Sequence, residues 1–384
     1  MSILPDGRFV DDAPYDPNVD LSAVDRSDMD ASNWLLVWRK FRRHRLGLVS
    51  GIFLLVAYLA IPFAGFFSPY TPNERSAEYL YHPPQAINLW HENEFIGPFV
   101  YPTQAKADLE NFRWNYTVDE TLPMPLHFFC TGAEYNLFGF VPTKMHLFCA
   151  PEGATVFILG SDRLGRDIFS RISYGAQLSL TVGLIGITVS FLLGITLGSV
   201  AGYFGGSTDW LVNRAIEILR SLPELPLWLA LSAAVPSNWG PVSVFFIISI
   251  ILGILDWPGL ARAVRSKFLS LREEEYVRAA EMMGAKPSRV IRRHLLPNFM
   301  SHLIASATLS IPAMILGETA LSFLGLGLRA PAVSWGVMLN DAQNLASIEI
   351  YPWTAIPMLP IIIVVLAFNF LGDGLRDSLD PYKV

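Results

Sequence analysis

Charge is what this sequence has least of. Only 16% of its 384 residues are charged, while 52% are hydrophobic. Ordinary soluble domains carry about 25% charge, so the composition excludes a wholly soluble chain and points to a polytopic membrane protein with a soluble portion. Catalytic signatures are missing too. No G-x-x-x-x-G-K-S/T phosphate loop is present, so the chain is not expected to hydrolyse ATP itself. H-E-x-x-H, a serine-hydrolase elbow and a Rossmann glycine pattern are absent, and Gly325-Leu326-Gly327 is too short for a nucleotide loop. The apolar stretches hold no ladder of Asp, Glu or Arg suited to a proton relay. The expectation is a non-catalytic membrane subunit with no catalytic residues, metal or cofactor of its own.

What is there divides into four units. Residues 1–31 hold eight Asp and three Pro without an apolar core. They read as a flexible acidic tail rather than a cleavable signal. In residues 32–67, Trp34, Leu35, Trp38 and Phe41 recur at helical spacing among Arg39, Lys40, Arg42, Arg43 and Arg45. That is an amphipathic helix lying on lipid, its cations favouring the cytoplasmic side, ahead of a first span at 46–67. The apolar span directly behind it argues against nucleic acid as the partner of this basic run.

Residues 68–160 contain no membrane-length apolar run and hold ten acidic against four basic residues. A stretch of that length is expected to be a folded insertion, mixed or irregular, on the outer side. Both cysteines lie in it; Cys130 and Cys149 are a candidate disulfide, with two buried free thiols as the alternative. The spacings of His82, His91, His127 and His146 match no standard metal site.

Residues 161–384 form the core unit. The stretch 160–180 predicts an interfacial helix capped by Ser161 or Asp162, with Ile168, Phe169 and Ile172 on one face. Further spans are expected at 177–203, 210–235, 242–262, 299–328 and 353–375. The fold class is thus an all-α polytopic membrane protein with six transmembrane helices. Gly194, Gly198 and Gly202 form a small-residue stripe for close helix packing. The third span begins with Asp209, Arg214, Glu217 and Arg220, and its Pro223 and Pro226 predict a kink or break. Glu217 and Glu318 are candidates for pore or packing roles. Glu318 lies near membrane depth, where a carboxylate faces a cavity or a hydrogen-bonding neighbour.

The chain is organised around 270–298, the longest strongly basic segment of its second half. Ser270 and Glu273 have capping-box spacing. Gly284 suits a helix stop, Pro287 the first turn of a second helix, and Pro297 its end. Ala279 and Ala280 offer a small face for close approach by another protein. On physics alone, a basic loop that only fixes topology is the other reading.

Ala279-Ala280, Gly284 and Leu296-Pro297 together resemble the EAA loop of ABC-importer permeases. Arg278 and His294 stand where the general pattern has Glu and Ile, which fits the branch serving peptides and nickel. Gly160, Ser161, Asp162, Gly165, Arg166 and Asp167 resemble that branch's G-(T/S)-D-x-x-G-R-D run, and 371–382 its C-terminal signature. The resemblance, to the C-type permeases of dipeptide and oligopeptide importers, implies a type I ABC importer fold. It implies a coupling helix docked on an ATPase through Glu273, Glu274, Glu275, Tyr276, Arg278, Ala279, Ala280, Gly284, Arg292 and Pro297. Implied partners are a second permease subunit in a heterodimer, two ATPase subunits carrying ATP and Mg, a periplasmic substrate-binding protein and membrane lipid. The implied location is a bacterial inner membrane, with both termini cytoplasmic and 68–160 periplasmic. Peptides are the implied cargo; family members also carry nickel, opines and oligosaccharides. The insertion is longer than this branch leads one to expect. Two other classes stay in view: an ATP-independent transporter or channel, disfavoured by sparse intramembrane charge and no visible inverted repeat, and a membrane-anchored scaffold.

Overall fold

The computed structural model describes residues 2–3, 9–10, 33–108, 113–151, 154–236 and 238–379. The expected acidic tail lies outside these, apart from two paired two-residue strands, β1 (Ser2–Ile3) and β2 (Phe9–Val10).

Among the described residues, five helical stretches are long and apolar enough to cross a bilayer: Arg45–Phe67, Ile168–Phe204, Pro241–Leu271, Pro287–Phe323 and Pro352–Leu379. A crossing needs about 20 apolar residues. The chain opens with α1 (Asn33–Arg43), which folds back so that Phe41 is buried beside Gly51 and Gly374. His44 then caps α2 (Arg45–Ala60), its Nδ1 accepting from Gly47 N at 3.0 Å. A 3-10 turn (Ile61–Phe63) and α3 (Ala64–Phe67) complete the first span.

The insertion is built of antiparallel hairpins. β3 (Asn88–His91), β4 (Glu94–Val100) and β7 (Met124–Pro125) form one sheet, in the order β3-β4-β7. β5 (Thr103–Asp108) pairs with β6 (Arg113–Val118), and β8 (His127–Leu137) with β9 (Val141–Cys149). Cys130 and Cys149 are joined by a disulfide across the last hairpin. Val100, Leu126 and Val156 give the insertion its own small core. Among the described residues, no cluster of three or more His, Cys, Asp or Glu could hold a metal.

His82 sits fully buried at the seam between insertion and core. Its Nδ1 lies 2.6 Å from Pro83 O and its Nε2 2.5 Å from Thr103 Oγ1. Burial pushes the imidazole down to about 4, against a partly offsetting bond to Pro83. The folded state therefore holds the ring neutral, and the unfolded chain binds the extra proton between pH 6.5 and 4. Stability from this group is full above pH 6.5 and is lost as pH falls through that window, by about 3 kcal/mol at most. The Asp167 carboxyl, pushed up to about 7 by burial against its Ser170 hydrogen bonds, acts in the opposite direction over the same range. The readout is thus a difference. In thermal unfolding of the detergent-solubilised protein, H82Q should gain on the wild type steadily as pH drops from 6.5 to 4.

The core resumes with α4 (Ile168–Phe204), followed by α5 (Gly206–Ser221), α6 (Glu224–Ala233) and α7 (Pro241–Leu271). The third expected span is not one helix. Leu222 is extended (φ −98°, ψ 139°), as is Pro223 (φ −67°, ψ 134°), so the chain breaks where a proline disfavours helix in the residue before it. Only α6 is apolar, and its ten residues reach about 15 Å, half a hydrocarbon core. The amphipathic α5 is tied instead to α7, with Arg265 forking onto Asp209.

The glycine stripe packs α4 against α7. A Cβ on Gly198 would lie 2.6 Å from Ala261 O, and one on Gly202 2.7 Å from Phe268 Cβ. Gly198→Val forces the two helices apart. We expect a loss of about 1–3 kcal/mol or more, read as a lower melting temperature in detergent. Gly240→Ala, whose added Cβ meets nothing within 4 Å, should change little.

The remaining elements are α8 (Glu275–Met282), α9 (Pro287–Val290), a π segment (Ile291–Leu295), α10 (Leu296–Phe323), α11 (Trp335–Asp341), α12 (Leu345–Ile350) and α13 (Met358–Leu379). Ile187, Ile311, Ile315, Val364 and Phe368 form the main core between α4, α10 and α13. The insertion meets the start of α4, where Tyr70 N donates to Ser170 Oγ at 3.3 Å, and the connection before α13, where Tyr81 stacks on Tyr351 at 4.2 Å. The loop at 272–284 meets α4 at its end, where Tyr203 Oη donates to Glu281 Oε1 at 2.7 Å. The two contacts on α4 lie near opposite ends of this 37-residue helix, about 50 Å apart along its axis.

Candidate functional site

The predicted capping box does not form. Ser270 lies inside α7, which stays helical through Leu271 because Phe268 and Leu271 remain buried. Glu273 binds guanidinium groups instead, accepting from Arg272 Nε at 3.1 Å and from Arg278. Helix α8 begins at Glu275 with Glu274 as its N-cap residue, and both carboxylates sit favourably at the positive helix end. Gly284 stops the element as the sequence indicates: its φ is +78°, and Ala285 N reaches back to Ala280 O at 3.1 Å.

Pro297 does not end the second helix. The helical stretch runs unbroken from Pro287 to Phe323. The wider π turn at Ile291–Leu295 absorbs the missing proline N–H, so Pro297 falls in the first turn of α10. The two-helix element is therefore continuous with a membrane span. Asn298 Nδ2 donates to Tyr276 Oη at 2.7 Å and clamps α8 to the start of that span.

Helix α8 has two unlike faces. Val277 and Ala280 are buried; Val277 shares a core with Val290, Leu295, Phe268 and Phe299. Ala279 and Ala280 thus do not make one outward face: neighbouring helical residues point about 100° apart, and only Ala279 is exposed. Glu274, Glu275, Arg278 and Ala279 line the outer face, with Arg292 and Pro297 exposed on the following segment. The outer face ends in Met282 and Met283, 83% and 82% exposed. They are not among the residues that the loop motif singles out. Their signal was two adjacent large apolar residues in a last helical turn, which cannot both face the chain's own core.

Glu318 and Glu217 are not brought to this element. Glu318 is fully buried in α10, accepting at Oε1 from Ser322 Oγ (2.7 Å) and Ser334 Oγ (2.8 Å). Ser334 in turn caps α11. Glu318 thus joins a span to the connection that follows it. Glu217 is exposed on α5 in a 3.0 Å pair with Arg214, a contact worth about 0–1 kcal/mol. A carboxylate not singled out beforehand, Asp256, lies half-buried in α7 and accepts from Ser190 Oγ at 2.8 Å.

The run 160–167 forms no separate helix. Asp167 caps α4 directly, its Oδ2 accepting from Ser170 N at 2.7 Å. Asp162 folds the preceding turn, accepting at Oδ1 from Leu164 N (2.9 Å) and Arg166 N (3.0 Å). Gly165, at φ +70°, presses on Ser76 of the insertion. Arg166 and Arg171, both buried, each bridge Asp162 and Asp341, with 2.7 and 3.1 Å contacts to Asp341 Oδ2. Burial raises the Asp341 carboxyl, but Arg171 and Arg166 outweigh it and hold it below the usual carboxylate range.

Residues 194–383 match the family described as binding-protein-dependent transport system inner membrane component. Residues 32–84 match the N-terminal TM domain of oligopeptide transport permease C. The chain is 45% identical to the dipeptide transport system permease protein DppC of Alkalihalophilus pseudofirmus, over 58% of this chain and 71% of that one. It is 39% identical to the oligopeptide transport system permease protein OppC of Haemophilus influenzae, over 65% of this chain and 75% of that one. Among solved structures it is similar to the MetNI methionine ABC transporter in an inward-facing conformation, with TM-score 0.42 and 18% identity, over 54% of this chain and 96% of that one. With its apolar helices and its Gly-stopped loop helix, the chain belongs to the binding-protein-dependent transport system inner membrane components, among the permeases like DppC and OppC.

Proposed function

We propose that this chain lines part of the translocation path of a peptide importer and that α8 is where partner ATPase subunits drive it. The carrying observation is the division of α8: an inner face sealed into α7 and α10, and an outer face of charge ending in two exposed methionines. A helix so held moves as one body with the span at Pro287–Phe323. Closure of an ATPase pair around ATP and Mg would displace α8 and tilt that span. Coupling needs a contact whose strength differs between the two states, and Glu274, Glu275, Arg278, Met282 and Met283 supply it.

The proposed assembly holds a second, different permease subunit, two ATPase subunits and a substrate-binding protein, with di- and oligopeptides as cargo. The relatives' names support that cargo. The proposed units are the tail 1–31, the helix and first span 32–67, the insertion 68–160 and the core 161–384. The termini and α8 face the cytoplasm and the insertion the periplasm. Nine basic residues between Arg262 and Arg293 support this orientation, as does the separation of insertion and α8 along α4. Reconstitution with the ATPases and binding protein tests the reading. Labelled peptide should accumulate in vesicles only with ATP; accumulation without it contradicts the reading.

A further inference from the structure

The β8–β9 hairpin carries a cluster of exposed aromatic side chains that the transport reading does not use. Its contacts with the first span follow an order. At the base, His146 Nδ1 lies 2.6 Å from Ser68 O. Further along, the Tyr135 ring packs on Gly65, while Phe129, on the base side of His146, meets Phe66 at 6.4 Å. At the turn, Phe138 meets Phe63 edge-on at 5.3 Å. From His146 through Tyr135 to Phe138 at the tip, the neighbours on the span step back from 68 to 65 to 63, so the tip descends along the helix toward the bilayer.

Phe63 lies four residues inside the apolar stretch Arg45–Phe67, roughly 6 Å below its end. The tip is therefore at a depth the span itself places in lipid. Its composition suits that depth. Residues 135–143 carry no charge, and the flanking Glu134 and Lys144 pair with each other at 3.6 Å. Phe140 is 76% exposed, and Phe138, Val141 and Met145 are exposed beside it. This patch continues the exposed apolar surface of Val56, Leu59 and Phe63 on the span.

We infer that the β8–β9 hairpin is a membrane-interface anchor, inserting Phe138 and Phe140 into the lipid leaflet on the insertion's side. Aromatic rings are favoured at that level, and a Lys just above can keep its ammonium in water. The anchor fixes the height of the insertion over the outer end of the core, and the disulfide holds the hairpin's base while the tip stays in lipid.

The native cysteines are paired with each other, which leaves a single introduced thiol open to labelling. Phe140→Cys in the full chain, carrying an environment-sensitive fluorophore, is reconstituted in phosphatidylcholine vesicles. Asn93→Cys, in the β3–β4 turn, is the reference. The labelled F140C should lose most of its emission to lipids bearing a shallow nitroxide and little to aqueous iodide, with N93C showing the reverse. Quenching of F140C by iodide but not by nitroxide lipid overturns the inference. So does shielding from iodide that appears only when the partner subunits are added, which would make the patch a protein contact. V141C, next on the same tip, repeats the measurement if F140C does not fold.

Discussion

The double variant M282E/M283E should insert and fold normally yet lose its hold on the ATPase subunits. Both side chains are more than four-fifths exposed, so removing them takes nothing from the chain's own core. In a docked complex each would be buried, a contribution of about 1.5–3 kcal/mol per side chain. Losing both weakens association at least about a hundredfold, before any cost of carrying charge into the contact. Copurification of ATPase and ATP-dependent uptake should both fall by that order, with thermal stability unchanged. The comparison variant is Ala280→Glu. Ala280 is buried against the chain itself, so A280E should lower stability as well as transport. If M282E/M283E keeps wild-type association, the docking face lies elsewhere on the loop.

Arg171→Met should damage the ion cluster at the start of α4 more than any surface substitution. The Arg171 side chain is 2% exposed and bridges Asp162 and Asp341. Removing it leaves two carboxylates sharing Arg166 and the rim residue Arg163 in a desolvated site, and breaking a buried pair in this way costs about 3–5 kcal/mol. Because Arg171 grips both carboxylates through a planar fork, R171K should not restore stability. Arg163 contacts the same Asp341 at 3.1 Å with its side chain 54% exposed, so R163M should stay within about 0.5 kcal/mol of the wild type. Thermal unfolding and protease nicking of the insertion read both effects. Equal behaviour of R171M and R163M would mean that the cluster does not hold the insertion to the core.

The contrast between those two arginines shows what a sequence can and cannot reveal. Long apolar runs declare themselves, so the spans were legible, as were the Gly198 stripe and the Gly284 stop, because a backbone approach and a left-handed turn each demand that residue. The Asp162–Arg171–Asp341 cluster was not legible, since 170 residues separate Arg171 from Asp341 and no local period links them. Local rules failed where burial or a hydrogen-bonding rival intervened. Ser270 has capping-box spacing, but the apolar α7 carries the helix past it. Pro297 is a helix breaker until a π turn relieves it. The prolines of the third span did foretell a break; that it divides the crossing into an amphipathic half and a ten-residue apolar half follows from Leu222 and Pro223 both being extended. For the candidate site, Gly284 could be placed from the motif as a helix stop. The sidedness of Ala279 and Ala280 needed the surrounding core; the methionine tip had a local signal in its two adjacent large apolar residues, and their exposure of more than four-fifths made it definite.

Crosslinking from the tip of α8 tests directly whether that helix is the contact through which ATP drives transport. Met283→Cys places a single free thiol at its tip, because Cys130 and Cys149 are already joined. The assembled transporter carrying M283C is treated with a short bifunctional crosslinker with and without ATP. A crosslink to the ATPase subunit should form, its yield changing when ATP binds, with no such product from a thiol placed at Asn93 in the insertion. A tip thiol that stays unlinked in both states, while transport continues, would contradict that role for α8.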